Sequence, residues 1–209
     1  MVAGVVLAAG LSSRMGKLKA TLPINPAKPD DETFLTRILR TLAAAGVADV
    51  VVVVGHESDT VIESVRRRRL TPRFVVNAEY RSGQFSSLLA GLRAIDRPLI
   101  DAMLLTLVDV PLIAPSTVRA VVERFEKTHA PIVRPVADEN GVKGARHGHP
   151  VLIARVLFQA LLAADPAAGA KPIVRAHVSD EGNVEVNDEG AFRDVDTPDA
   201  YRRIFGLSE

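Results

Sequence analysis

Short apolar, β-branched runs alternate with stretches of helical spacing along most of the chain, and this alternation restricts the fold more than any other feature. The runs occupy residues 5–9, 50–54, 74–76, 103–108, 132–133 and 151–153. Each is continuous rather than every-other-residue, the pattern of strands covered on both faces. Between them, Phe34, Leu35, Ile38, Leu39 and Leu42, then Leu88, Leu89, Leu92 and Ile95, then Val118, Val121, Val122 and Phe125 recur at the spacing of an amphipathic helix. This β, α, β, α order predicts a three-layer α/β/α, Rossmann-like architecture: a mostly parallel sheet with helices on both faces and right-handed crossovers. With 209 residues, 47% of them hydrophobic, one domain spanning residues 1–209 is expected.

Two stretches depart from the rhythm. Residues 136–149 collect Asp, Glu, Gly, Lys, Arg and His, and read as a long loop or a short polar excursion; residues 25–32 hold two prolines and consecutive acids, and read as a surface loop. Near the end, Thr197-Pro198-Asp199 has the form of a helix start, with Thr197 as N-cap, Pro198 in the first helical position and Asp199 in the first turn. That helix is expected to run to Phe205.

Charge excludes some partners. Lys and Arg number 26 against 25 Asp and Glu, so nothing global favours nucleic acid or a charged membrane surface. The basic run at residues 66–69 reads as a solvated helix end. The absence of Cys removes thiolate catalysis, disulfides and Cys-based metal sites. Apolar runs fall short of the roughly 20 residues a membrane span requires, and the first residues read as a strand rather than a signal peptide. A soluble, cytoplasmic protein is expected.

The strongest local signal is Leu7-Ala8-Ala9-Gly10-Leu11-Ser12-Ser13-Arg14-Met15-Gly16-Lys17-Leu18-Lys19, directly after the first strand. Small residues let backbone N–H groups approach a phosphate, and three basic residues supply compensating charge. Five residues separate Gly10 from Gly16 and Leu18 follows Lys17, so this is no Walker A loop. Gly4, Gly10 and Gly16 are too widely spaced for the dinucleotide fingerprint. Anion binding is the favoured reading; a turn bearing solvated charges is the plain one.

This loop closely resembles the signature of the molybdenum cofactor nucleotidyltransferases, MobA-like NTP transferases within the larger nucleotide-diphospho-sugar transferase fold. Four further segments follow in that family's order: Gly83-Gln84-Phe85-Ser86-Ser87-Leu88, Asp109-Val110-Pro111, Gly148-His149-Pro150-Val151 and Asp194-Val195-Asp196-Thr197-Pro198. The loop is more similar to the cytidylyl branch than to the guanylyl branch. Two departures stand out. The first loop continues through Leu22-Pro23-Ile24-Asn25-Pro26 into an acidic insertion, and the segment from Asp165 to Lys171 lacks a glycine before the Asp and has Lys for Arg, which cannot reproduce a bidentate guanidinium grip.

The resemblance implies a Mg²⁺-dependent transfer of CMP, or another NMP, from an NTP to a phosphorylated acceptor, most nearly molybdopterin, with release of pyrophosphate. It implies nucleotide contacts at Leu7, Ala8, Ala9, Gly10, Arg14, Lys19, Asn77, Gly83, Ser87 and Asp109. Lys19 reaches the triphosphate, Arg14 neutralises the departing pyrophosphate, and Asp109 and Asp196 hold the metal. His149 positions the acceptor, and hand-off to a molybdoenzyme or insertion chaperone is implied. The residues also admit plainer readings. Asp109 lies at a strand's carboxyl end, where open α/β sheets bind ligands, but also starts a turn. Asp196 competes with a role at the helix cap, Lys17 reads as a solvated loop charge, and Asn77 serves equally to read a base edge or to hold a turn. His147 and His149 make a poor zinc set without Cys. Two rival functions stay open: the same chemistry on a sugar phosphate or other small phosphate, and a non-catalytic module binding nucleotide or molybdenum cofactor. A dinucleotide-dependent oxidoreductase ranks last.

Overall fold

The computed structural model describes residues 1–139 and 142–206. The chain runs β1 (Val2–Ala8), α1 (Phe34–Ala44), β2 (Val50–Val54), α2 (Ser58–Arg67), β3 (Arg73–Val76), α3 (Gln84–Ile95), β4 (Ala102–Leu107), α4 (Pro115–Thr128), β5 (Ile132–Glu139), β6 (Val142–His147), β7 (Val151–Ala154), α5 (Phe158–Leu162), α6 (Lys171–His177), β8 (Asn183–Glu185) and α7 (Pro198–Phe205). The sheet order is β3-β2-β1-β4-β7-β5-β6, with β8 beside β5. β3, β2, β1 and β4 are parallel neighbours. β7 then runs against both β4 and β5, and β6 against β5.

β2 shows why the layers form. Its five consecutive valines are all buried, and the strand's two-residue period sends them to opposite faces. Val52 and Val54 pack with Leu35 and Leu42 of α1, Val61 of α2 and Val118 and Phe125 of α4. Val51 and Val53 pack with Leu88, Leu92 and Ile95 of α3 and Phe158 and Leu161 of α5. The three-layer α/β/α architecture follows directly. α3 lies unusually close to β1, because a Cβ on Gly91 would come within 2.5 Å of the Val5 side chain.

The stretch at residues 136–149 is a correction. β5 continues to Glu139 and forms an antiparallel hairpin with β6, pairing Val136 with His147 and Ala137 with Arg146. Asp138, Glu139 and Val142, at the outer ends of the two strands, are exposed. Backbone pairing makes this hairpin, so the apolar pattern of a buried strand is missing from its sequence.

The last helix forms as expected. Thr197 caps α7 by accepting from the Ala200 N–H at 3.2 Å, and Gly206 ends the helix in the left-handed region. Tyr201 and Phe205 pack on Phe34 with ring centroids 5.9 and 5.5 Å apart. The Tyr201 hydroxyl donates to the Pro23 carbonyl at 2.7 Å. A third apolar cluster of Met15, Leu22, Phe34, Val195 and Tyr201 thereby ties α7 to the loop after β1. No helix among the described residues is long and apolar enough to cross a membrane.

Candidate active site

The parallel strands β1 and β4 are adjacent and end at the same edge of the sheet. A cleft of about 380 Å³ opens there. Leu7, Ala8, Ala9 and Gly10 line it from β1 and its loop, Asp109 from the turn after β4, and Gly83 and Ser87 from the start of α3. Gly83 has φ +104°, a conformation that side chains rarely adopt. A Cβ on Gly10 would meet no protein atom within 4 Å, so packing does not demand that glycine; its effect is to leave backbone bare at the cleft.

The loop after β1 curls around Ser12. The Ser12 carbonyl accepts from the N–H groups of Met15 and Gly16, both at 3.0 Å, and its hydroxyl accepts from the Lys19 N–H at 3.1 Å. Lys19 is thereby fixed at its backbone and is only 8% exposed. Its Nζ donates to Asp109 Oδ2 at 3.2 Å and also to Asp196 Oδ1. Arg14, itself mostly exposed, closes the cluster from outside, 2.7 Å from Asp196 Oδ2. Arg14, Lys19, Asp109 and Asp196 thus meet at one point, drawn from three distant parts of the chain.

Burial acts to raise the pKa of Asp196, but the hydrogen bond and charge of Lys19, together with Arg14, outweigh it and hold the carboxyl below its ordinary value. Asp109 Oδ1 is buried without a hydrogen-bond partner. Val195 is fully buried between Asp194 and Asp196; Asp196 pairs with Lys19 and Arg14, and Asp194 lines a neighbouring pocket.

A smaller pocket of about 280 Å³ adjoins on the far side of Asp109, lined also by His147, His149 and Asp194. The His149 N–H donates to the Ala191 carbonyl at 2.8 Å. Gly148 permits this approach, since a Cβ there would lie 2.5 Å from that carbonyl oxygen. His149 Nδ1 is buried and unpartnered. Burial lowers its pKa; the Leu105 carbonyl and the carboxylates of Asp109 and Asp194 oppose that shift without reversing it.

Asn77 is placed differently from the other nucleotide-contact candidates. Its amide donates to the hydroxyls of Ser86 at 2.9 Å and Ser87 at 3.0 Å, and its oxygen accepts from the Glu79 N–H at 3.0 Å. It is buried and holds the turn before α3, with its amide nitrogen engaged by the two hydroxyls. Lys17 is exposed and lines a separate groove with Tyr201 and Arg202. Among the described residues, no group of three or more His, Asp or Glu side chains is placed to hold a metal.

Among the cleft residues that the sequence did not single out as contacts are Ser12, Tyr80, Arg81 and Gln84. Ser12 stood inside the glycine loop, where a hydroxyl beside a tight turn is the available signal. Tyr80 carried no signal of its own. Its ring rests where a Cβ on Gly55 would lie, 2.7 Å from Tyr80 Cβ, and the Arg81 guanidinium stands over it, 5.4 Å from the centroid.

Residues 4–181 match the model of the MobA-like NTP transferase domain. The chain belongs to this family. Within the MobA-like NTP transferases it is similar to Rv0371c from Mycobacterium tuberculosis H37Rv, with 28% identity over 98% of this chain and 97% of that one and a TM-score of 0.76. Rv0371c has also been solved in complex with manganese. A nucleotidyl transferase from Methanothermobacter is 25% identical over 99% of this chain and 96% of its own, with a TM-score of 0.73. A bifunctional IPC transferase and DIPP synthase from Rubrobacter xylanophilus is 36% identical over 103 residues, which are 49% of this chain and 23% of that longer protein. This MobA-like chain therefore corresponds to a fraction of that relative's length.

Proposed function

We propose that this nucleotidyltransferase-family domain transfers CMP from CTP to the phosphate of molybdopterin, with Mg²⁺ as its cation. The observation that carries the reading is the convergence of Lys19, Arg14, Asp109 and Asp196 beside a glycine loop at the carboxyl edge of the sheet. An acceptor phosphate oxygen attacks the α-phosphorus; the new P–O bond forms as the bond to the β-phosphate oxygen breaks, and pyrophosphate leaves with the electron pair. No protein nucleophile is needed. Lys19 and Arg14 offset the negative charge that the triphosphate brings and the pyrophosphate carries away. Ala8, Ala9, Gly83 and Ser87 admit the nucleoside closely, and His149 borders the acceptor in the adjoining pocket.

Asp109 and Asp196 suit a hard divalent cation, because carboxylate oxygens are its preferred donors and Asp109 Oδ1 is a buried acceptor awaiting a partner. When bound, Mg²⁺ would neutralise phosphate charge. Manganese bound by the mycobacterial relative agrees with this chemistry. CTP and molybdopterin rest on the likeness of the glycine loop to the cytidylyl branch, as does delivery of the product to a molybdoenzyme or insertion chaperone. The naming of the Rubrobacter relative as an IPC transferase favours a second reading, transfer to another small phosphate.

Pyrophosphate release and product mass decide the matter. The protein is incubated with each of CTP, GTP, ATP and UTP, with and without Mg²⁺, and with molybdopterin or sugar phosphates. A cytidylylated pterin that requires Mg²⁺ and vanishes in Asp109→Asn supports the reading. Undiminished turnover in Asp109→Asn refutes it, and nucleotide binding without any product supports the non-catalytic module.

A further inference from the structure

We infer that Lys19 is an internal counter-ion which a divalent cation must displace, and that this displacement couples cation binding to triphosphate binding. The inference rests on the reading of Asp109 and Asp196 as cation ligands. The two carboxylates already share one ammonium group, using Asp109 Oδ2 and Asp196 Oδ1, while Arg14 occupies Asp196 Oδ2. With two negative and two positive side chains the cluster is neutral, and only Asp109 Oδ1 lacks a partner. A cation arriving alone therefore meets occupied oxygens and no net negative charge. The Lys19 side chain is also the most enclosed of the four, at 10% exposure against 23% for Asp109 and 19% for Asp196. Expelled without a new partner, its ammonium would be a charge stranded in a largely closed site.

The triphosphate supplies that partner. Lys19 lines the same cleft as the glycine loop, and its backbone is held to Ser12, so only its side chain has to swing. Nucleotide attracts the ammonium away from the carboxylates and frees them for the cation; the cation repels the ammonium towards the phosphates. Each ligand removes the other's obstacle, and linkage makes the effect reciprocal. A lysine that binds phosphate from a fixed position would leave only the coupling that direct cation–phosphate contact supplies, and its removal would not strengthen cation binding in the absence of nucleotide.

Mn²⁺ binding, read from the electron paramagnetic resonance of the free ion, tests this without turnover. Wild type, Lys19→Met and Asp109→Asn are titrated alone and with a non-hydrolysable CTP analogue. Wild type is expected to bind Mn²⁺ weakly alone and about tenfold or more tightly with the analogue, within the usual range of coupling between sites. Lys19→Met is expected to bind Mn²⁺ alone about tenfold more tightly than wild type, with a smaller nucleotide effect once the Mn²⁺ held by the analogue in solution is subtracted. Unchanged or weaker Mn²⁺ binding by Lys19→Met, with binding abolished in Asp109→Asn, overturns the counter-ion role and leaves the cation reading intact. No Mn²⁺ binding by wild type, with or without analogue, overturns both. Should Lys19→Met fail to fold, Lys19→Gln carries the same comparison; its melting temperature is expected to rise more with Mn²⁺ than that of wild type, and an equal or smaller rise counts against the inference.

Discussion

The backbone N–H of Val195 donates to the carbonyl of Asp109 at 2.7 Å, so the two segments that bear the paired carboxylates are joined through main chain rather than through the acids themselves. Val195 also sits fully buried in the cluster that docks α7. Val195→Ala keeps the hydrogen bond and removes packing, and is expected to cost about 1–3 kcal/mol of stability, as for other truncations of buried aliphatic side chains. Because Asp196 follows directly, Mn²⁺ affinity should fall as well. Urea unfolding and Mn²⁺ titration check both effects; a stability loss with unchanged Mn²⁺ affinity would show that Asp196 is positioned independently of Val195.

Gly55 has no room for a side chain. A methyl group there would stand 2.7 Å from Tyr80 Cβ and 3.0 Å from Ala9 Cβ. Gly55→Ala is expected to displace Tyr80, weaken nucleotide binding and destabilise the fold by about 1–3 kcal/mol, the usual cost of overpacking. Calorimetric titration with CTP beside thermal unfolding separates the two effects. Full affinity in a destabilised protein would mean that Tyr80 walls the cleft without touching the ligand.

Asn77→Ala removes the donors to Ser86 and Ser87 and the acceptor for Glu79. The expected outcome is a loss of about 1–3 kcal/mol from groups left unsatisfied, with nucleotide preference unaltered. Competition among CTP, GTP, ATP and UTP measures the second part, and a change of preferred base would restore Asn77 to base reading.

Protonation should weaken the fold in two separate windows. His149 has its pKa lowered by burial below the ordinary 6.5, so the unfolded chain takes up this proton more readily than the folded one. Its contribution is complete above that value and is lost as pH falls from about 6.5 towards the folded pKa. Asp196, also lowered, loses its contribution at more acid pH, from 3.8 downward. Urea midpoints between about pH 5 and pH 8 should decline on the acid side in wild type and be flatter in His149→Asn. Identical pH profiles would rule out His149 as their source.

Much of this architecture was legible because its elements are determined locally. Thr197, Pro198 and Asp199 announced α7 through cap chemistry that needs no tertiary partner, and the valines of β2 announced a strand covered on both sides. The hairpin of β5 and β6 was not legible, since its pairing is carried by backbone groups common to every sequence while its outer side chains face water. Reversal of β7 was hidden too: three short apolar residues carry no record of direction. At the site, Lys19, Asp109 and Asp196 stood out by residue type and position, but their sharing of one ammonium joins stretches remote in sequence, as does the Val195 to Asp109 bond beside it. Tyr80 escaped notice because its place depends on what Gly55 lacks.

The reversed strand β7 has a further consequence. Functional residues on parallel strands follow the strand that presents them, as Asp109 follows β4. His149 precedes its strand, because β7 enters at the edge where its neighbour leaves. The cleft is thus furnished by the exits of a parallel sheet, and the smaller pocket beside it by the turn that leads into the returning strand. The return arm can lengthen, shorten or change composition without disturbing the crossovers that set the glycine loop. A chain built this way can vary the pocket beside His149 while keeping the glycine loop and its cluster of charges fixed.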